Sequence, residues 1–336
     1  EIVHMAAFGT EFTGQMVSSH YENGQWSDLQ VVPVAPFSLH PATHVLHYAS
    51  ECFEGLKAYR QQTGEVHLFR PDRHIARMTN SAAQLLLEIP GQAELERSLH
   101  MAVAAVADAI PGYPGALYLR PTLLGTEQDI GAAARPSQKV LYYVLTSPVG
   151  NYFAGGLKPL RVKVDDQAMR CTPGFGEVKT GGNYAAAMRH VVLAQRELGA
   201  DQVLFAPGGN VQETGAANFV LIEGNELLTK PLDGSILPGV TRDSILTLAR
   251  DAGLKVTERD FSVAELLERA PHGEAALTGT AAVLTPVGAF LYNGREITVG
   301  DGQMGPWSAS LREQLCAIQS GAAADPHGWR APLQVS

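Results

Sequence analysis

An α+β protein of two domains is what this sequence predicts, and three observations carry the prediction. The chain has 336 residues, more than one compact core of ordinary size accommodates. Strand-like and helix-like segments are mixed within its first half. After a strand that ends at Pro148, the stretch Gly150-Asn151-Tyr152-Phe153-Ala154-Gly155-Gly156 is too rich in glycine for a regular element and short enough for a hinge. The expected organisation is a smaller N-terminal α/β domain over residues 1–149, a connecting loop over 150–158 and a larger C-terminal domain of mixed α/β character over 159–336.

Taken in order, residues 31–37 and 65–69 read as strands, Asp72 through Leu87 has helical spacing, and Ala93 to Ala109 forms a second, alanine-rich helix. Pro111-Gly112-Tyr113-Pro114-Gly115 then breaks the chain ahead of a strand at Ala116–Arg120, and another strand runs from Val140 to Thr146. The second half has strands near 160–164, 202–206, 217–222 and 226–229, and a helix from Thr241 to Ala252 that ends at Gly253. Ser262-Val263-Ala264-Glu265 is a capping box that starts a further helix. No internal repeat or low-complexity tract is present.

Composition narrows the function. Hydrophobic content of 45% with 18% charged residues suits a globular chain with a large core. A net charge of -9 argues against a nucleic-acid surface, so a small anionic ligand must be held by local groups. Cys52, Cys171 and Cys316 lie far apart, without metal-type spacing or a disulfide framework, which predicts a reducing cytoplasm and no metal site. No apolar run reaches the roughly 18 residues that span a bilayer. The start, Glu1 to Met5, lacks the basic and apolar regions of a signal peptide, and Met5 is the expected native start.

Chemistry concentrates at Lys179, in Gly176-Glu177-Val178-Lys179-Thr180-Gly181-Gly182-Asn183-Tyr184, followed by Gln212-Glu213-Thr214-Gly215. A lysine amine can hold an aldehyde cofactor as an imine, and a carboxylate can keep a pyridine nitrogen protonated so that the ring accepts electrons. Small, uncharged residues crowd the C-terminal side of Lys179, as a planar cofactor requires. A phosphate-cradling nucleotide loop would place glycine directly before Lys-Thr, where Val178 stands, and Glu177 would repel a polyphosphate. For a phosphate, Pro238-Gly239-Val240-Thr241 opens a helix whose first amides and Thr241 hydroxyl can donate; equally, Thr241 only caps that helix. Thr278-Gly279-Thr280-Ala281 follows an apolar strand and offers a hydroxyl and amides, or is an ordinary strand-to-helix turn. Arg77 lies on the 72–87 helix one turn after Arg73, so both can face one side.

Together these residues resemble the branched-chain-amino-acid aminotransferases, pyridoxal phosphate enzymes of fold type IV. The resemblance runs through Phe8-Gly9-Thr10, His47-Tyr48, Phe53-Glu54-Gly55-Leu56-Lys57-Ala58-Tyr59, Phe69-Arg70-Pro71, Tyr118-Leu119-Arg120-Pro121, Leu124-Gly125-Thr126-Glu127, the Lys179 and Glu213 segments, Ile236-Leu237-Pro238-Gly239-Val240-Thr241-Arg242 and Gly279-Thr280-Ala281. It implies that Lys179 holds pyridoxal 5'-phosphate as an imine, that Glu213 contacts the pyridine nitrogen and that Tyr184 lies near the phenolic oxygen. It further implies that Arg77, Val240, Thr241 and Thr280 hold the phosphate. By the same resemblance Phe8, Tyr48, Phe53 and Tyr118 form an aromatic substrate wall, Arg120 receives the side-chain carboxylate of glutamate, and the Thr280 and Ala281 amides take the α-carboxylate. Tyr152 and Phe153 fall in the interdomain loop.

Two departures stand out. Ala282 and Thr285 occupy the places of a Cys-x-x-Cys found in mammalian members, so that thiol switch is expected to be absent. Thr13-Gly14-Gln15-Met16 replaces an acidic-histidine pair common near the N-terminus. The expected activity is reversible ping-pong transamination between L-leucine, L-isoleucine or L-valine and 2-oxoglutarate, in a cytoplasmic homodimer whose partners are small amino acids and 2-oxo acids. The alternatives are a D-amino-acid aminotransferase, an aminodeoxychorismate lyase, or a non-catalytic pyridoxal phosphate-binding protein.

Overall fold

The computed structural model describes residues 8–150 and 156–334. Met5 and most of the 150–158 loop, Tyr152 and Phe153 among it, lie outside the described residues. Two compact units are found: 8–150 with 178–181 and 318–334, and 156–177 with 182–317. The first contains β1 (Gln15–Glu22), β2 (Gln25–Trp26), β3 (Gln30–Pro33), α1 (His44–Tyr48), β4 (Glu51–Phe53), β5 (Leu56–Arg60), β6 (Val66–Phe69), α2 (Pro71–Gln84), α3 (Gln92–Ala104), β7 (Ala116–Gly125) and β8 (Val140–Val149). The second contains β9 (Leu160–Asp165), α4 (Gly181–Leu198), β10 (Gln202–Phe205), β11 (Asn218–Glu223), β12 (Glu226–Thr229), α5 (Val240–Asp251), β13 (Lys255–Glu258), α6 (Val263–Arg269), β14 (Glu274–Gly279), β15 (Val283–Tyr292), β16 (Arg295–Thr298) and most of α7 (Pro306–Ser320). A last strand, β17 (Arg330–Pro332), returns to the first unit.

The first unit is built on an antiparallel sheet in the order β17-β6-β5-β7-β8-β1-β2, with β3 on β1 and β4 on β7. Its core joins Leu56, Leu68, Leu117, Leu119, Leu123 and Val144 from strands to Ile75, Met78 and Ala82 of α2 and Leu95, Leu99, Ala102 and Val103 of α3. Those helical positions recur every three or four residues, so each helix turns one apolar stripe inward. Each fully buried leucine contributes roughly 1.5–3 kcal/mol.

Pro121 sits within β7 without breaking it. The neighbouring strand changes there: β5 pairs as far as Leu119, and from Thr122 onward β7 pairs with β4, whose last residue, Phe53, stands opposite Thr122. The missing N–H therefore falls where no ladder bond is required, and β7 continues past the expected Arg120 to Gly125. The strand expected at 31–37 instead stops at Pro33, since Pro33 and Pro36 cannot donate to a ladder.

The second unit has a mixed sheet in the order β10-β9-β15-β14-β11-β12-β13, with β16 on β15. Adjacent residues point to opposite faces: Leu204 and Phe290 join a core with Phe219, Leu228, Phe261 and Leu266, whereas Val203, Phe205 and Leu291 meet Ala187, Val191 and Ala194 of α4.

Several expectations are corrected. Residues 318–334 group with the first unit rather than the C-terminal domain, because β17 pairs with β6 and Arg330 donates to Gln61 Oε1 at 2.9 Å. Residues 178–181 do so through bonds to Glu51, Phe53 and Ser81. Gly239, not Thr241, is the N-cap of α5. The turn after Gly279 joins two strands rather than a strand and a helix. Ser262 does cap α6, its Oγ accepting the Glu265 N–H at 3.1 Å, while the Glu265 carboxylate turns to Arg259 and Arg269. Ser262→Ala should therefore cost about 1 kcal/mol in urea denaturation; no loss would show that the cap carries none of the helix's stability.

Candidate active site

Lys179 is held by its backbone. Its N–H donates to Ser81 Oγ at 3.0 Å, and its carbonyl accepts the Phe53 N–H at 3.1 Å. The next two residues extend the contact: Thr180 Oγ1 donates to the Glu51 carbonyl at 2.7 Å, and the Gly181 N–H donates to Glu51 Oε1. A Cβ at 181 would lie 2.4 Å from Glu51 Oε1, so a side chain there would force the Glu51 carboxylate to shift. The chain then enters α4, which carries the half-buried Tyr184.

The Lys179 ammonium lies 4.9 Å from the Phe53 ring centroid, and the Arg120 guanidinium carbon lies 4.6 Å from the same ring. Arg120 also donates to the Tyr118 hydroxyl at 2.8 Å, and Phe8 meets Tyr118 edge-on at 4.9 Å. Phe8, Phe53, Tyr118 and Arg120 share a cavity of about 400 Å³ with Glu51 and Tyr143. Tyr48, expected in this wall, is not among the cavity's lining residues; its hydroxyl donates to the Ile130 carbonyl.

Arg77 is buried on α2, whereas Arg73 is exposed, so the two do not share one environment. Instead Arg77 forms a bidentate pair with Glu54, Nε to Oε1 at 2.7 Å and Nη2 to Oε2 at 2.8 Å, and His74 Nδ1 donates to Glu54 Oε2 at 2.7 Å. Burial alone would push the Glu54 carboxyl up, but the Arg77 charge and the bonds from Arg77 and His74 outweigh it and hold the group well below the usual carboxylate range. Burial pushes the His74 imidazole down, against the opposing pull of Glu54.

In the second unit Glu213 is buried and fixed from three sides. Arg170 Nε lies 2.8 Å from Oε1, the Leu237 N–H donates to Oε1 at 2.9 Å, and Asn218 Nδ2 donates to Oε2 at 2.7 Å. Asn218 Nδ2 also reaches the Leu237 carbonyl at 2.9 Å, and its Oδ1 would stand 1.9 Å from a Cβ on residue 239. Gly239 thus lets Asn218 close against the start of α5, where Val240 and Thr241 are buried. Asn218 stands opposite Thr278 in the sheet, so the turn bearing Thr280 and Ala281 follows directly from the same strand pair.

These residues fit pyridoxal phosphate. No side chain caps α5 at Gly239, so its N-terminus suits a phosphate, with the Thr241 hydroxyl in its first turn. The buried Glu213 carboxylate suits a protonated pyridine nitrogen, and in the first unit Lys179 carries an amine of the kind that forms an imine. Sequence reasoning singled out neither Glu51, His74, Arg170 nor Asn218. Only Glu54 carried a signal, as a member of Phe53-Glu54-Gly55.

The family model for class IV amino-transferases matches residues 51–290. The chain is 41% identical over 341 residues to the branched-chain-amino-acid aminotransferase of Mycolicibacterium smegmatis, and 41% identical over 344 residues to that of Mycobacterium tuberculosis. Each alignment covers 97% of this chain and 92% of the relative. Among solved structures it is similar to the T.th. branched-chain amino acid aminotransferase with pyridoxamine 5'-phosphate, with TM-score 0.78, 26% identity and coverage of 95% of this chain and 99% of that one. The same enzyme complexed with N-(5'-phosphopyridoxyl)-L-glutamate gives TM-score 0.75 at 25% identity, again covering 95% and 99%.

The Glu54 cluster has a measurable consequence. A carboxyl lowered by folding stabilises the protein above its unfolded range, near pH 4, and that stability is lost as pH falls toward the folded value. Glu54→Gln should cost about 3 kcal/mol at pH 7, by leaving Arg77 and His74 without their anion, with the difference shrinking below about pH 4. Denaturant titrations at several pH values measure this; a difference independent of pH would refute the ionised pair.

Proposed function

Since the chain belongs to the class IV aminotransferases, and within them to the branched-chain-amino-acid aminotransferases, we propose that it transfers the amino group of L-leucine, L-isoleucine or L-valine to 2-oxoglutarate with pyridoxal phosphate as cofactor. The products are the branched 2-oxo acid and L-glutamate, and the reaction is reversible. The observation that carries this reading is the cavity that joins an aromatic wall to Arg120. One pocket must accept an aliphatic side chain in one half-reaction and a carboxylate in the other. Phe8, Phe53 and the Tyr118 ring serve the first; Arg120 and the Tyr118 hydroxyl serve the second. The T.th. enzyme, whose structures include complexes with N-(5'-phosphopyridoxyl)-L-glutamate and with 4-methylvaleric acid, supports both uses.

The bound cofactor supplies an aldehyde that condenses with amines and a ring that accepts the electrons released at the amino acid's Cα. In our reading Lys179 Nζ would hold that aldehyde carbon in the resting enzyme and, as a free amine, would remove the proton from Cα. The backbone bonds of residues 179–181 keep Nζ in place for both tasks. Glu213 keeps a positive charge on the ring nitrogen, with Arg170 and Asn218 preventing its rotation. Tyr184 contacts the phenolic oxygen, while Val240, Thr241 and Thr280 hold the phosphate together with Arg77. The Thr280 and Ala281 amides receive the α-carboxylate.

Among the described residues no helix is long and apolar enough to cross a membrane. We assign the protein to the cytoplasm, supported by Cys52 and Cys171 standing as free thiols. We also assign it a homodimer, supported by the exposed apolar side chains of Val31, Val34, Phe37, Leu39 and Leu46.

Mixing the reconstituted enzyme with L-leucine alone should abolish its visible absorption band, and 2-oxoglutarate should restore it. A band that responds to D-alanine but not to L-leucine would overturn the substrate assignment. Lys179→Ala should lower turnover by at least about 1000-fold; undiminished turnover in that variant would remove Lys179 from the chemistry.

A further inference from the structure

We infer that Glu51 is a specificity-determining residue, the counter-ion that lets the Arg120 pocket accept an uncharged side chain as well as a carboxylate. This rests on the assignment of the 400 Å³ cavity to the substrate side chain. Glu51 lines that cavity together with Arg120. Its position is fixed from outside the cavity: β4 pairs it with Leu124, the Gly181 N–H binds Oε1, and Thr180 Oγ1 lies 3.4 Å from the same oxygen. The Gly181 N–H and the Thr180 hydroxyl hold the carboxylate in this orientation.

Arg120 poses the problem that Glu51 answers. Its guanidinium spends one hydrogen bond on the Tyr118 hydroxyl and lies against two aromatic rings, and its Nε has no hydrogen-bond partner among the described residues. A dicarboxylate substrate supplies an anion to this group. An aliphatic side chain supplies none, and it displaces the water that would otherwise solvate the cation. A fixed carboxylate in the same cavity keeps the pocket near neutrality in that half-reaction. When the dicarboxylate enters, the same charge competes with it for Arg120, which restrains binding of the anionic substrate. Burial pushes the Glu51 carboxyl up against the opposing pulls of the Gly181 N–H, the Thr180 hydroxyl and the Arg120 charge, in keeping with a charge whose solvation is incomplete.

Glu51→Gln tests this, because an amide oxygen can still accept the Gly181 N–H while the charge is removed. The readout is a ratio of two Michaelis constants, that for 2-oxoglutarate over that for 4-methyl-2-oxopentanoate. The ratio should fall about fivefold in the Gln variant, as expected for deleting one charge near the bound carboxylate. Glu51→Asp retains the charge and should stay within about twofold of wild type. An unchanged ratio in the Gln variant, including one that hides equal shifts in both constants, would reduce Glu51 to a structural tie and overturn the inference. Wild-type protein unable to use either oxo acid would instead overturn the transaminase reading itself.

Discussion

The placement of Lys179 depends on hydrogen bonding between residues 179–181 and two segments more than ninety residues earlier in the chain. A free lysine side chain samples many rotamers, so a reactive amine needs an anchored backbone before its terminal atom can be positioned. Here the anchor is made by groups that strand geometry fixes, the Phe53 N–H and the Glu51 carbonyl, and by the Ser81 hydroxyl on α2. The anchor also constrains the residues around it. A side chain at Gly181 would displace the Glu51 carboxylate from the N–H it accepts, and α4 begins at the same residue.

The other charges follow a common rule: each buried ion is set among partners that fix its direction. Glu54 is closed by Arg77 and His74, and Glu213 by Arg170, Asn218 and the Leu237 amide. Such groups are costly to bury, and two-sided bonding both offsets the desolvation and removes rotational freedom. In Glu213 that rigidity gives a carboxylate of defined orientation. In Arg77 it gives a cation whose plane is set by its bidentate contact. Neither property depends on the rest of the side chain's contacts with solvent.

Where local chemistry decides an element, the sequence shows it. Pro71 and Ser262 sit at helix starts, Gly253 follows the end of α5, and the apolar runs of β11 and β14 read as strands without tertiary knowledge. Elements decided by distant partners are hidden. β17 is three residues long and exists because β6 offers an edge; α1 has five residues, too few for a periodic pattern. The site divides in the same way. Lys179 and Glu213 stand in recognisable local motifs, whereas Glu51 and Arg170 are of types usually solvated, and their roles arise from residues far along the chain, 130 positions away for Glu51 and Gly181. Arg73 and Arg77 are equivalent by helical spacing, and only Glu54, brought beside α2 by the fold, distinguishes them.

The central claim is that Lys179, among the chain's seven lysines, bears the cofactor. Its most direct test is borohydride reduction of the protein reconstituted with pyridoxal phosphate, followed by proteolysis and mass spectrometry to locate the phosphopyridoxyl group. A single modified peptide is expected, carrying the adduct on Lys179. Stoichiometric modification at another lysine, such as the ion-paired Lys163 or Lys230, with Lys179 unmodified, would contradict it.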